Sequence, residues 1–180
     1  MRIISGKYRG LKLAEFAGQD IRPTADRVKE SLFNILAQNV SGASVLDLFC
    51  GSGNLGIECL SRGAERVVFN DISANSIAVL KTNLNKLKGE NNFAVLNLDY
   101  SACLARAGKF DLIFIDPPYR LEAGVDALNI IGERGLLNED GVAVFERDRS
   151  FFGEISGLQM YNERKYGKTY ISLFKPYSGV

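Results

Sequence analysis

Five short runs dominated by Val, Ile, Leu and Phe, separated for the most part by stretches with helical spacing, constrain this chain more than any other feature. The runs are Ser44 to Phe49, Arg66 to Asn70, Phe93 to Leu98, Phe110 to Ile115 and Val142 to Glu146. Near-continuous apolar character of this kind marks strands buried on both faces. Between them, Leu55 to Arg62 closes at Gly63, and Val125 to Arg134 closes at Gly135. Ala74 to Lys88 carries apolar residues at Ile77, Val79, Leu80, Leu84 and Leu87. All three read as helices, the glycines as C-terminal stops. Strand and helix in alternation predict an α/β fold with a doubly wound, mostly parallel sheet.

Both ends depart from that rhythm. Met160 to Lys165 and Thr169 to Phe174, joined around Tyr166-Gly167-Lys168, read as an antiparallel pair that brings the sheet to seven strands. Ile3 to Ala14 reads as a hairpin or extended arm, and Thr24 caps a helix through Asn39 with Val28, Leu32, Ile35 and Leu36 inward. With 180 residues, 46% of them hydrophobic, the chain is expected to be one domain over residues 1–180: arm and helix in 1–40, catalytic core in 41–180.

Composition then removes several function classes. The chain has no histidine, which takes away the usual general base and the commonest metal ligand and argues against Ser/His hydrolases and metal chemistry. Cys50, Cys59 and Cys103 are odd in number and lack C-x-x-C spacing, so they predict reduced thiols rather than disulfides or a zinc cage. The N-terminal residues lack a signal-peptide core and no run is long enough to span a bilayer, so the expectation is a cytoplasmic protein without membrane contact; a monomer is expected as a separate matter. Net charge is only +1, but Arg2, Lys7, Arg9 and Lys12 crowd the first twelve residues, and Arg164, Lys165 and Lys168 cluster near the other end. If the fold unites the two groups they form a basic rim.

Gly51, Gly53 and Gly56, following the first parallel strand, match G-x-G-x-x-G, a pattern shared by loops that let backbone pass close to a ligand. Asp47, four residues before the first glycine, separates the possibilities. A carboxylate there suits a bound ammonium group and disfavours a pyrophosphate, so S-adenosylmethionine is favoured over a nicotinamide dinucleotide. Asp71, ending the second strand, is placed for both ribose hydroxyls. Asp99, ending the third, is placed for an adenine amino group, with Tyr100 or Ile72 packing on the ring. Cys50 and Asn54 complete the expected cofactor loop.

Asp116-Pro117-Pro118-Tyr119 follows the fourth strand. Two prolines fix φ and surrender their N–H groups, leaving nearby carbonyls free to accept hydrogen bonds from a ligand. Asp116 and the Pro117 carbonyl can take the two hydrogens of an exocyclic amine while Tyr119 stacks on the base. The four acids Asp47, Asp71, Asp99 and Asp116 then share the carboxyl edge of one sheet, where open α/β sheets bind ligands. Methyl transfer to a nucleobase nitrogen is the chemistry this predicts, without a metal.

Arg22-Pro23-Thr24-Ala25-Asp26-Arg27-Val28-Lys29-Glu30, the loop from Leu46 to Ala64, Asp116-Pro117-Pro118-Tyr119 and Tyr166-Gly167-Lys168-Thr169 together resemble the RsmD family over essentially the whole chain. That resemblance implies a Rossmann-like class I S-adenosylmethionine-dependent methyltransferase acting on the N2 amine of a guanine in bacterial 16S ribosomal RNA, within the small subunit or a late assembly intermediate. It implies Asp116, Pro117 and Tyr119 as catalytic residues. Arg22, Thr24 and Arg27, entering the first helix, would cover the cofactor or hold phosphate. Arg2, Lys7, Arg9, Arg120 and Lys168 are the further candidates for RNA contact. Departures from the family pattern are Asp71 where many members carry glutamate, and Cys50 and Asn54 in place of smaller residues. An adenine-N6 methyltransferase on DNA or other RNA shares the proline motif and remains the alternative, ahead of a dinucleotide oxidoreductase or a non-catalytic cofactor-binding module.

Overall fold

The computed structural model describes residues 1–16, 23–117 and 121–177, with the side chains of residues 23–25 and 121 outside the description. Along the chain run α1 (Pro23–Ile35), α2 (Ala37–Val40), β1 (Ser44–Asp47), α3 (Asn54–Ser61), β2 (Arg66–Asn70), α4 (Ala74–Leu84), β3 (Phe93–Leu96) and α5 (Tyr100–Arg106). They are followed by β4 (Phe110–Ile115), α6 (Leu121–Glu133), β5 (Leu137–Arg147), β6 (Leu158–Tyr166) and β7 (Thr169–Pro176). Among the described residues, seven strands form one sheet in the order β3-β2-β1-β4-β5-β7-β6. The first five are parallel, and β7 inserts antiparallel between β5 and β6.

Side chains alternate across this sheet with a period of two, which is why its central strands are apolar throughout. Val45, Phe69, Leu112, Phe114 and Val144 pack on one face with Leu32, Phe33, Leu36, Ile57 and Leu80 from α1, the α1–α2 junction, α3 and α4. Leu46, Ile113, Ile115, Ala143 and Phe145 pack on the other with Leu104, Ala127, Leu128 and Ile131 from α5 and α6. Burial of each large side chain contributes about 1.5–3 kcal/mol, so both layers are held firmly on the sheet. The strand order reverses between β1 and β4, and the helices that follow them, α3 and α6, pack on opposite faces of the sheet, the arrangement whose carboxyl edge forms the ligand crevice of open α/β sheets.

Several element limits differ from the sequence expectation for local reasons. Strand β5 starts at Leu137 rather than Val142, because Phe110 N donates to Leu136 O and a register shift then lets the polar stretch 138–141 stay in the strand. The expected helix from Thr24 to Asn39 is divided into α1 and α2 at Leu36. Helix α5 has no counterpart in the sequence reading. Its N-terminus is fixed by the Asp99 carboxylate, which accepts from Ser101 N at 2.9 Å and Ser101 Oγ at 2.6 Å.

Residues 1–16 form an extended arm whose two limbs meet at one isolated bridge, Arg2 with Lys12. A buried carboxylate explains why so polar a segment stays docked. Glu58, inside α3 and wholly buried, accepts from Ile4 N at 2.9 Å, Ser5 N at 3.0 Å and Arg62 Nε at 2.8 Å, and pairs with Lys29 Nζ at 3.1 Å. Lys29, equally buried, also donates to Arg2 O and to Asn54 Oδ1. Desolvation lowers the Lys29 pKa, opposed by the Glu58 charge. The returning limb reaches the glycine loop through Asn83, which accepts from Ala14 N and donates to Ser52 O.

Candidate active site

The turn after β1 makes the first wall of the crevice. Gly51 and Gly53 have φ of +52° and +84°, a region that side-chain-bearing residues rarely adopt. Their surroundings differ in an informative way. A Cβ on Gly53 would lie 2.4 Å from Leu80 Cδ1, and one on Gly56 would lie 2.3 Å from the Phe69 ring, so these two glycines let helix and sheet pack closely. Among the described residues, a Cβ on Gly51 would meet only Phe16, at 4.0 Å. Gly51 therefore presents backbone that no described residue covers closely, as a loop cradling a ligand requires.

Asp47 lies beneath this loop, 2% exposed, and its Oδ2 accepts from Gly56 N at 2.9 Å. That N–H belongs to the first turn of α3, where backbone donors lack helical partners. Burial is the largest influence on Asp47, and with the nearby Asp116 and Asp71 charges it pushes the carboxyl up to about 7, against the lowering effect of the Gly56 hydrogen bond. A cation above the loop would relieve this carboxylate. The structure thus gives Asp47 a structural partner in addition to the ammonium role expected from sequence.

Asp71 holds the loop from β2. Its Oδ2 accepts from Gly51 N at 2.9 Å and its Oδ1 from Ser73 N at 2.8 Å. A carboxylate has about four acceptor positions, so both oxygens retain capacity for ribose hydroxyls. Ile72, beside it, is 69% exposed and offers an apolar surface for a purine ring. Tyr100 is committed elsewhere: its hydroxyl donates to Asp126 at 2.7 Å and its ring packs against Phe49 at 5.5 Å. Of the two residues expected to cover an adenine, the structure leaves Ile72 available. Asp99 spends Oδ1 on capping α5 and remains exposed at the end of β3. Asn54 points its carbonyl oxygen to Lys29 at 2.8 Å, which fixes α1 to α3 rather than facing a cofactor. Cys50 is buried beneath the loop and, like Cys59 and Cys103, is a free thiol. Burial, followed by the Asp47 and Asp71 charges, pushes the Cys50 thiol up and keeps it protonated.

The second wall follows β4. Asp116 and Pro117 leave the strand at the same edge, on the strand neighbouring β1. Asp116 is exposed to the crevice yet ringed by protein on its other sides, and loss of surrounding water raises its carboxyl above the ordinary carboxylate value. Pro118, Tyr119 and Arg120 lie outside the described residues, as does Arg22. The side chain of Thr24 also lies outside them. Arg27 is exposed on the first half of α1, and Lys168 is exposed at the tip of the β6–β7 hairpin, which reaches the carboxyl edge.

One acid escaped the sequence reading. Glu146 is half-buried at the carboxyl end of β5, and the parallel pairing of Ile115 with Phe145 sets it level with Asp116. Burial, then the Asp116 charge, raises its pKa. Five adjacent parallel strands thus carry an acid at or just beyond this edge, in sheet order Asp99, Asp71, Asp47, Asp116 and Glu146. Counting strand-end acids through the fifth strand would have found it.

The basic arm requires a correction. Lys7 and Arg9 stand in the turn 6–10, where Lys7 N donates to Ser61 O at the end of α3 and Lys7 Nζ pairs with Glu90 at 3.3 Å. Helices antiparallel to the strands end at the amino edge, so this turn lies opposite the crevice. It does not join Arg164, Lys165 and Lys168 in a rim, because the arm is drawn down along α3 by Glu58. Arg2 pairs with Asp26 at 3.5 Å. Among the described residues no group of three His, Cys, Asp or Glu side chains is placed to hold a metal ion, and no helix is long and apolar enough to cross a membrane.

Comparison with known proteins matches the geometry. The family model described as conserved hypothetical protein 95 matches residues 1–175. The Bacillus subtilis protein YlbH, whose name assigns it to rRNA methylation, is 40% identical over 181 residues, covering 97% of this chain and 98% of its own. The ribosomal RNA small subunit methyltransferase D of Haemophilus influenzae is 37% identical over 153 residues, 83% of this chain and 79% of that protein. The solved structure of the Escherichia coli protein yhhF superposes with a TM-score of 0.86 at 30% identity, over 99% of both chains.

Proposed function

The chain belongs to the conserved hypothetical protein 95 family, the RsmD family whose motifs its sequence carries, and on that premise we propose that it transfers a methyl group from S-adenosylmethionine to the N2 amine of one guanine in 16S ribosomal RNA. The observation that carries this reading is the meeting of two walls at the sheet's switch point. The glycine loop after β1 offers a cofactor cradle, and Asp116-Pro117 after the adjacent β4 offers acceptors for an amine.

S-adenosylmethionine supplies an electrophilic methyl group on a sulfonium. The chain's own residues bind and orient. Gly51 backbone, Asp71 and Ile72 line the cofactor side, with Asp47 countering an ammonium charge from below. Guanine N2 is a weak nucleophile because its lone pair is delocalised into the ring. Asp116 and the Pro117 carbonyl accept its two hydrogens, favouring a tetrahedral nitrogen and stabilising the positive charge that grows on it. Most of the remaining work is placement of nitrogen against carbon. Tyr119 would hold the extruded base by stacking. Arg22 and Arg120, which the sequence sets before α1 and after the proline motif, Arg27 exposed on α1 and Lys168 on the hairpin are proposed to hold flanking phosphates.

The substrate is proposed to be the small subunit or a late assembly intermediate. A chain with net charge +1 has few means to fold or search free RNA, so an RNA of preset shape suits it best. Incorporation of labelled methyl groups tests this. Small subunits lacking the modification should accept label much faster than protein-free 16S RNA, and duplex DNA should accept none. Label entering duplex DNA at adenine would replace this reading with the adenine-N6 alternative.

A further inference from the structure

The acceptors of Asp116 and Pro117 do not by themselves choose a base. Adenine N6, cytosine N4 and guanine N2 are all exocyclic amines with two hydrogens to give. What distinguishes them is the neighbouring ring nitrogen. Guanine carries a donor there, N1–H, whereas adenine N1 and cytosine N3 present bare lone pairs. A group that selects guanine should therefore be an acceptor standing beside the amine site.

We propose that Glu146 is that group: resting on the N2-guanine reading, it accepts a hydrogen bond from guanine N1–H while Asp116 accepts from N2. Strand register places it there. Ile115 pairs with Phe145, so Asp116 and Glu146 leave neighbouring parallel strands at the same level, separated by roughly the 4.8 Å between strands. Phe145 belongs to the core packed on α6, and alternation turns Glu146 to the opposite face, with Phe114 and Val144. On β7 its cross-strand neighbour is Ile171, an apolar residue. Arg147, next in sequence, points the other way, stacking on Phe145 and Phe151 and binding Glu163 at 2.5 Å.

A plain strand-end acid would sit in water. Glu146 is half-buried beside a second carboxylate whose charge disfavours its own, an arrangement that, among the described residues, costs stability. Guanine resolves it by supplying one N–H to each carboxylate. Against an ionised Glu146, adenine or cytosine would set a lone pair and leave the repulsion in place, so the preference for guanine should be fullest above about pH 8, where Glu146 has lost the proton that burial and Asp116 hold on it.

The test compares wild type with Glu146→Gln on small subunits reconstituted with either guanine or 2-aminopurine at the modified nucleotide. 2-Aminopurine keeps the C2 amine but has a bare N1. Wild type should prefer guanine by on the order of tenfold or more. In Glu146→Gln the amide can accept from N1–H through its oxygen or donate to a bare N1 through its nitrogen, so the preference should collapse: 2-aminopurine methylation should rise towards that of guanine, with S-adenosylmethionine affinity by calorimetry unchanged. An unaltered preference, or equal loss on both bases, overturns the role of Glu146. Wild type that binds cofactor yet leaves guanine subunits unmethylated overturns the N2 reading itself.

Discussion

Replacing Asp47 with asparagine should uncouple cofactor binding from pH and at the same time stabilise the empty protein. The Asp47 carboxyl is raised from 3.8 to about 7, chiefly by burial. A group whose folded pKa lies above its unfolded value contributes stability that is complete below the unfolded value and is lost as pH rises through the folded one. At about 1.4 kcal/mol per unit, ionised Asp47 costs the cofactor-free fold on the order of 4 kcal/mol by pH 8. Asparagine can still accept from Gly56 N but carries no charge, so Asp47→Asn should raise stability in urea at pH 8, with the gain shrinking as pH falls towards 4. Cofactor binding runs the other way. If an ammonium group requires Asp47 ionised, wild-type affinity should weaken by roughly tenfold between pH 8 and pH 6, because the carboxyl must first lose its proton. Calorimetric titration across that range should show this slope in wild type, and in Asp47→Asn a weaker affinity without it. A wild-type affinity flat with pH, or a slope that survives in Asp47→Asn, refutes the pairing of Asp47 with the ammonium.

Asp116→Ala should lower kcat on the order of a hundredfold or more while changing S-adenosylmethionine affinity little, since its hydrogen bond matters most as charge builds on the amine; single-turnover rates and calorimetry check this, and equal losses in both would remove Asp116 from the chemistry. Glu58→Ala strands Lys29 and two arm N–H groups in the interior, so urea unfolding should report a loss of roughly 3–5 kcal/mol. The double substitution of Lys7 and Arg9 with alanine should leave substrate KM and its salt dependence unchanged, because that turn lies at the amino edge, whereas Lys168→Ala should raise KM and flatten the salt dependence. A salt slope that falls with Lys7 and Arg9 instead would place RNA on the opposite side of the sheet.

The central strands were legible because burial on both faces leaves an unbroken apolar record: Arg66–Asn70 and Phe110–Ile115 appear in the structure with the limits their sequence suggests. The glycine loop and Asp116 were legible because strand-end placement in a parallel sheet follows from order along the chain. Features set by long-range contacts were not. The start of β5 is polar and is recruited by pairing with β4, which no local pattern announces. The course of the arm depends on Glu58, an acid in a largely apolar helix whose arm partners, Ile4 and Ser5, are more than fifty residues away. Local sequence offered the arm's charges as RNA contacts, and tertiary anchoring carried Lys7 and Arg9 to the far edge. Asn54 and Tyr100 stand beside the cofactor in sequence but are turned by Lys29 and Asp126, which sequence does not place next to them.

The most direct measurement is nucleoside mass spectrometry of 16S ribosomal RNA from cells with and without this chain. Cells lacking it should lose one N2-methylguanosine, and purified protein with S-adenosylmethionine should restore it on their small subunits, while Asp116→Ala should not. An unchanged N2-methylguanosine content, or loss of a different methylated nucleoside, contradicts the account.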